Sequence, residues 1–164
     1  MRLPVDLPAR RRAISALVLL CSGLALAGCS SPANVESAGD ASNPRCADMM
    51  VTMPDDLAGY KLRDTTSQAT AVWGDPSKII LRCGVNVPGP TTDPCVSVNG
   101  VDWVAKEGDV AWTLTTYGRT PATEVLFNPN EVPSSSVLTQ LSSAAERIPA
   151  EGQCTNLSKS EDLP

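Results

Sequence analysis

Histidine is absent from this chain of 164 residues. Without it the chain cannot build a Ser-His-Asp or Cys-His catalytic site, and it lacks both a common metal ligand and the usual general base of neutral pH. Motifs for a nucleophilic serine (G-x-S-x-G), for phosphate or dinucleotide binding, and for a Ser-x-x-Lys pair are missing as well. These absences predict a protein that is not an enzyme and that binds no cofactor and no metal.

Apolar runs long enough to cross a membrane are also missing. The N-terminal apolar stretch, residues 13–26, is short for a bilayer span of ~20 residues, and it follows a start rich in arginine. It ends in Leu26-Ala27-Gly28-Cys29, and polar residues follow at once. This order resembles the lipobox of bacterial lipoproteins, in which small residues precede an invariant cysteine.

The lipobox resemblance implies that residues 1–28 are a signal peptide and that Cys29 carries a lipid. The mature protein would then be anchored to the cell membrane on its extracytoplasmic face. Two or more acyl chains make such an anchor lasting, because each buried CH₂ contributes ~0.8 kcal/mol. The alternative is an ordinary secretory signal that happens to contain a cysteine.

Acidic residues outnumber basic ones. Removal of residues 1–28 takes away four Arg and one Asp, which leaves nine basic and 17 acidic residues and a net charge of −8. This charge argues against nucleic acid and against anionic lipid headgroups as electrostatic partners. Solubility alone is the simpler reason for it.

Four cysteines remain in the mature chain, and none belongs to a C-x-x-C pair. Outside the cytoplasm an even number of cysteines predicts disulfides, here two with three connectivities. We favour Cys46–Cys154, which joins the two ends of the domain, and Cys83–Cys95, which closes a loop rich in Pro and Gly. Four thiolates around a metal ion are the alternative.

Composition divides the mature chain into three parts. Residues 29–43 and 155–164 are rich in small and polar residues, which predicts a flexible tether and a flexible tail. The residues between them, 44–154, are enough for one hydrophobic core but not for two. We therefore predict a single folded domain over residues 44–154.

Each end of this domain carries a helix pattern. Asn43 can cap a helix that begins at Pro44, and the apolar face of this helix comprises Cys46, Met49, Met50 and Met53. Such a row of methionines is typical of a packed core, with a pliable binding groove as the alternative. Near the other end, three serines precede an apolar face that runs from Val137 to Ile148, and Pro149 ends it.

Strand patterns fill the middle of the domain. Five segments are rich in β-forming residues or alternate with a period of two, namely residues 69–73, 78–85, 101–105, 109–117 and 122–127. The proline-rich run between Cys83 and Cys95 cannot form a regular element. This order predicts an α+β fold, a small antiparallel sheet with an N-terminal and a C-terminal helix packed on one face.

Four short motifs occur in a fixed order along this domain. They are Trp73-Gly74-Asp75-Pro76, Leu81-Arg82-Cys83-Gly84-Val85, Val101-Asp102-Trp103 and Tyr117-Gly118-Arg119-Thr120-Pro121. Together they resemble a family of actinobacterial secreted lipoproteins, family 3515 among the domains of unknown function. The resemblance covers Cys46 to Cys154 and implies an envelope protein, but it implies no activity and no catalytic residues.

The candidate binding surface comprises Asp102, Trp103, Tyr117 and Arg119. The guanidinium of Arg119 could hold a carboxylate or a phosphate, and the two aromatic rings could stack on a sugar or a peptide. The structural alternative is an ion pair between Asp102 and Arg119 that holds two strand ends together, with Trp103 in the core.

Three functions fit these observations. We favour a non-catalytic envelope lipoprotein, attached to the membrane through Cys29, that binds a partner protein or a wall component. The second is a histidine-free enzyme that acts on wall material through two carboxylates facing each other across a cleft. The third is a carrier of a small hydrophobic ligand, which needs a pocket of several hundred Å³ between sheet and helices.

Overall fold

The computed structural model describes residues 31–155. The predicted signal peptide, the lipidation site Cys29 and residues 156–164 of the predicted tail lie outside the described residues. Within residues 31–155, no helix is long and apolar enough to cross a membrane. The folded unit begins at Pro32.

Two helices and eight strands make up the fold. Helix α1 spans Pro44–Met50 and helix α2 spans Ser134–Ala145. The strands are β1 (Asp56–Leu57), β2 (Tyr60–Arg63), β3 (Thr70–Trp73), β4 (Ile79–Val85), β5 (Cys95–Val98), β6 (Val101–Lys106), β7 (Trp112–Thr116) and β8 (Ala122–Phe127). The prediction of an antiparallel sheet with two helices and two disulfides is confirmed, although the sheet is larger than expected.

All eight strands form one sheet in the order β1-β2-β3-β4-β8-β7-β6-β5. Every pairing is antiparallel, and the central pair β4–β8 is in register from Ile79↔Phe127 to Val85↔Ala122, with a bulge at Gly84. Strands β4 and β5 follow each other in the chain, yet three strands separate them in the sheet. Residues 86–94 therefore connect the middle of the sheet to its edge.

The two sides of the sheet differ in burial. On the core side, alternate residues of β4 and β8 are almost fully buried, including Leu81, Cys83 and Val125. Their neighbours on the outer side, Arg82 and Glu124, are only partly buried. Since successive side chains of a strand point to opposite faces, this alternation separates a core face from an outer face.

Helix α1 begins where the sequence predicts, whereas α2 already includes the three serines that were expected to precede it. The side chain of Asn43 accepts a hydrogen bond from the N–H of Arg45, and Pro44 occupies the first turn. Helix α1 ends at Met50, before the last methionine of the predicted apolar face, and the hydroxyl of Thr52 donates to the carbonyl of Met49 just after this end. Met49 is fully buried and Met50 and Met53 partly, so the methionine row packs against the core as predicted.

Three strands, β1, β2 and β5, were not predicted. Strand β5 pairs with β6 through the turn Asn99-Gly100, where both residues have positive φ. An Asn-Gly pair between apolar residues is a strong signal for a two-residue hairpin turn, so the sequence did contain the information for this strand. Strand β1 has only two residues, which is too short for any periodicity to be recognised.

The predicted tether is part of the folded unit from Ala33 onwards. The N–H of Ala33 donates to the carbonyl of Asp64, and the N–H of Asp40 donates to the carbonyl of Gly84. Ala33 and Ala41 are buried. The predicted domain boundary at residue 44 is therefore too late, because backbone hydrogen bonds order this segment and composition does not reveal them.

The predicted disulfide pairing is wrong. The structure joins Cys46 to Cys83 and Cys95 to Cys154, so all four sulfurs are used and the four-thiolate metal site does not form. Cys83 and Cys95 lie four strand spacings apart, about 19 Å along the sheet, and they belong to opposite faces. A disulfide needs Cα atoms within about 7 Å of each other.

Candidate functional site

Arg119 lies at the sheet end that follows β7, and its side chain points into the protein. Only 5% of the residue is exposed. Its Nη1 donates to the carbonyl of Ile148 and its Nη2 donates to the carbonyl of Gly100, at 3.1 Å. Burial lowers the pKa of the guanidinium, while the nearby carboxylates of Glu146 and Asp102 oppose this shift. Arg119 therefore binds the carbonyl of Ile148, which follows helix α2, and the carbonyl of Gly100 in the turn between β5 and β6, instead of forming an ion pair with Asp102.

Asp102 and Gly118 hold the same C-terminal segment. The carboxylate of Asp102 accepts a hydrogen bond of 2.7 Å from the N–H of Cys154. The carbonyl of Gly118 accepts from the N–H of Glu151 at 2.6 Å. Gly118 has a φ of +65°, and a Cβ at this position would overlap the carbonyl of Gly152. We call this set of contacts, together with Arg119, the C-terminal clamp.

The two aromatic residues of the predicted surface differ in burial. Trp103 is fully buried, and its Nε1 finds no hydrogen-bond partner within residues 31–155. Tyr117 is partly buried and lines a small cavity of about 90 Å³ beside the Cys95–Cys154 disulfide. The fold therefore brings the four predicted residues together, but it directs Trp103 and Arg119 towards the interior rather than towards a ligand.

The outer face of the sheet carries a different candidate site. Arg82 of β4 lies directly opposite Glu124 of β8, and the Nε of Arg82 donates to Oε1 of Glu124 at 2.6 Å. Thr115 of β7 lies opposite Glu124 on its other side. These three side chains form the floor of a groove of about 470 Å³, which we call the outer groove. Sequence analysis did not identify it.

Two irregular segments form the walls of the outer groove. One comprises residues 36–39 and the other contains Asn86 and Pro88. Gly84 lets the first wall approach the sheet, because it has a φ of +94° and a Cβ there would overlap the backbone of Asp40. The sequence contained one signal for this groove, since each of two apolar strands carries a single charged residue, Arg82 in β4 and Glu124 in β8. This signal can be used only when the two strands are known to pair.

Other carboxylates lie at exposed positions on strand β1 or in turns. Asp56 forms an exposed ion pair with Lys61 at 3.2 Å, and Glu107 and Asp109 are exposed between β6 and β7. Throughout the described part of the chain, no group of three or more Cys, Asp or Glu residues could hold a metal ion. The outer groove is therefore the best candidate for a functional site, since two carboxylates, those of Glu36 and Glu124, line it.

Comparison with known proteins gives one match. The family model described as "Protein of unknown function (DUF3515)" matches residues 13–153, which is most of the chain. Comparisons with curated proteins and with solved structures found no match. Asp102, Gly118 and Arg119 of the clamp and the groove residue Arg82 lie within the matched range, and Cys154 lies one residue beyond it. The chain therefore belongs to the DUF3515 family of proteins of unknown function.

Proposed function

We propose that this protein is a non-catalytic envelope lipoprotein, anchored through Cys29 to the extracytoplasmic face of the membrane, which binds an extracytoplasmic partner protein in the outer groove. The lipobox-like sequence supports the anchor. The two disulfides support an oxidising compartment, because such bonds rarely persist in the cytoplasm. The outer groove, with Arg82 and Glu124 on its floor, is the observation that carries the binding role.

In this proposal both helices cover the core face and leave the outer groove open to a partner. Cys46 of α1 is bonded to Cys83, which is a core-face residue. Leu138 and Leu141 of α2 belong to the same buried cluster as Leu81. A partner can therefore bind in this groove without rearrangement of the core.

The chemistry of the groove suits a polypeptide. Arg82 and Glu124 neutralise each other, so the floor offers hydrogen bonds without a strong net charge. The wall at residues 36–38 belongs to no helix or strand, and a peptide can pair with main-chain groups that no sheet ladder uses. The hydroxyl of Thr115 adds a further donor and acceptor.

Two matched variants test the groove. Thr115→Arg places a long charged side chain in the groove, whereas Thr113→Arg makes the same change two residues away on the same strand face, outside the groove lining. Lipidated protein would be cross-linked in its native membrane and captured with its partners. We expect proteins that are captured by the wild type and by Thr113→Arg to be lost with Thr115→Arg. Equal capture by both variants would exclude the groove, and enrichment of glycan alone would indicate a wall component.

A carboxylate enzyme remains the second candidate, because Glu36 and Glu124 both line the groove. Glu124 already accepts a hydrogen bond from Arg82. If purified protein digests wall material, we expect Glu36→Gln to abolish the digestion and Glu107→Gln to leave it unchanged. Absence of digestion by the wild-type protein would remove this candidate.

A further inference from the structure

An apolar patch lies where helix α1 ends. Val51 is 82% exposed, more than the other large apolar side chains exposed within residues 31–155. Met50 and Met53 are partly buried beside it. Two open grooves of about 420 and 390 Å³ adjoin this patch, and Met50 lines both of them. We call Met50, Val51 and Met53 the methionine patch.

The methionine patch adjoins the place where the folded unit begins. The groove that contains Met53 is also lined by Asp64 and Thr65. Ala33 pairs with Thr65, and its N–H donates to the carbonyl of Asp64 at 2.8 Å. The contact of Ala33 with Asp64 and Thr65 is therefore made at the rim of this groove.

Chain length limits how far Cys29 lies from this rim. Only residues 30–32 separate Cys29 from Ala33. Consecutive Cα atoms are 3.8 Å apart, so the Cα atom of Cys29 lies within about 15 Å of that of Ala33. A lipid anchor at Cys29 would hold the methionine patch close to the bilayer, whereas a flexible tether over residues 29–43 would not.

We propose that the methionine patch rests against the lipid bilayer in which Cys29 is anchored, and that this contact fixes the orientation of the domain. The inference rests on the lipid anchor of the proposed function. The acidic mature chain offers no general attraction to anionic headgroups, so the contact is apolar. Methionine side chains adapt to irregular apolar surroundings, and the anchor keeps their local concentration at the membrane high.

Tryptophan fluorescence with brominated phosphatidylcholine vesicles tests this orientation. In lipidated full-length protein, Val51→Trp places the reporter in the patch at a position that needs no repacking. Val110→Trp is the matched control, because Val110 is 76% exposed and lies between β6 and β7, at the opposite end of the sheet from Ala33. Unsubstituted protein gives the background of the three native tryptophans.

We expect brominated lipid to remove most of the added emission of Val51→Trp and to leave that of Val110→Trp unchanged. If lipidated protein floats with the vesicles but neither reporter is quenched, the inference is overturned while the anchor stands. Emission of Val51→Trp that shifts to the blue only with rising protein concentration would assign the patch to a second copy of the chain and overturn the inference. Intact mass that shows no lipid on Cys29 would overturn the anchor itself, and the inference with it.

Discussion

Arg119 shows how a residue that looks functional in the sequence can be structural in the fold. An arginine between a glycine and a threonine after a strand suggests a ligand site. The structure instead buries it against the carbonyls of Gly100 and Ile148. Arginine suits this role because its planar group reaches two acceptors at once. The aromatic partner Trp103 is likewise in the core, as the structural alternative predicted.

Replacement of Arg119 by lysine tests the clamp. Lysine carries the same charge but cannot reach both carbonyls with one planar group, so we expect the free energy of unfolding to fall by about 2 kcal/mol. Urea unfolding would measure the change at constant m value. Arg147→Lys, at an exposed position after helix α2, is the control and should change stability by less than about 0.5 kcal/mol. If the urea midpoint of Arg119→Lys equals that of the wild type, the clamp does not stabilise the fold, and Arg119 is again a candidate for ligand binding.

At the scale of elements, the connections were harder to predict than the helices and strands. The N-terminal segment looked like a tether because Val35 is its one large apolar residue. Its order comes from contacts with strands that are distant in the sequence, such as that between Asp40 and Gly84. The turn before β4 and the loop before α2 are joined in a similar way, by the ion pair of Lys78 and Glu131.

The ion pair of Lys78 and Glu131 predicts a pH dependence. Lys78 lowers the pKa of Glu131 through a hydrogen bond and its charge, and Glu131 raises the pKa of Lys78. The contribution of Glu131 to the free energy of unfolding is fully present when the pH is above its ordinary pKa of 4.5. This contribution is lost as the pH falls through the lowered pKa. The contribution of Lys78 to the free energy of unfolding is fully present below pH 10.5, its ordinary pKa, and is lost as the pH rises through the raised pKa.

We therefore expect Glu131→Gln to be slightly less stable than the wild type at neutral pH, and the difference to shrink below pH 4.5 and to vanish once the pH is below the lowered pKa of Glu131. Urea unfolding at a series of pH values measures this difference, and added salt should reduce it because the pair is on the surface. Glu107→Gln provides a control from an exposed loop. A difference that persists unchanged into acid would show that the charge of Glu131 is not the cause.

At the scale of the whole molecule, the disulfides connect parts that the chain places far apart. Cys46–Cys83 ties helix α1 to the central strand, and Cys95–Cys154 ties the edge strand to the C-terminal segment. Their sequence separations are 37 and 59 residues. In the chain-entropy model each closure contributes about 4 kcal/mol, so both are major contributions to a domain of this size.

Removal of one disulfide tests the pairing and its energy. We expect Cys46→Ala combined with Cys83→Ala to lower the free energy of unfolding by about 4 kcal/mol, measured by urea unfolding without reductant. Peptide mapping of the double variant should still find Cys95 linked to Cys154. A peptide that links Cys83 to Cys95 in the wild-type protein would contradict the strand order itself.

The sequence by itself determined the elements whose signal is local. Asn43 and Pro44 define the start of α1, period-two runs define the central strands, and an even number of cysteines predicts two disulfides. Only the tertiary structure decided which cysteines pair, that residues 33–41 are ordered, and that Arg82 meets Glu124 in a groove. Each of these depends on the order of strands in the sheet, which brings together residues that no local pattern connects.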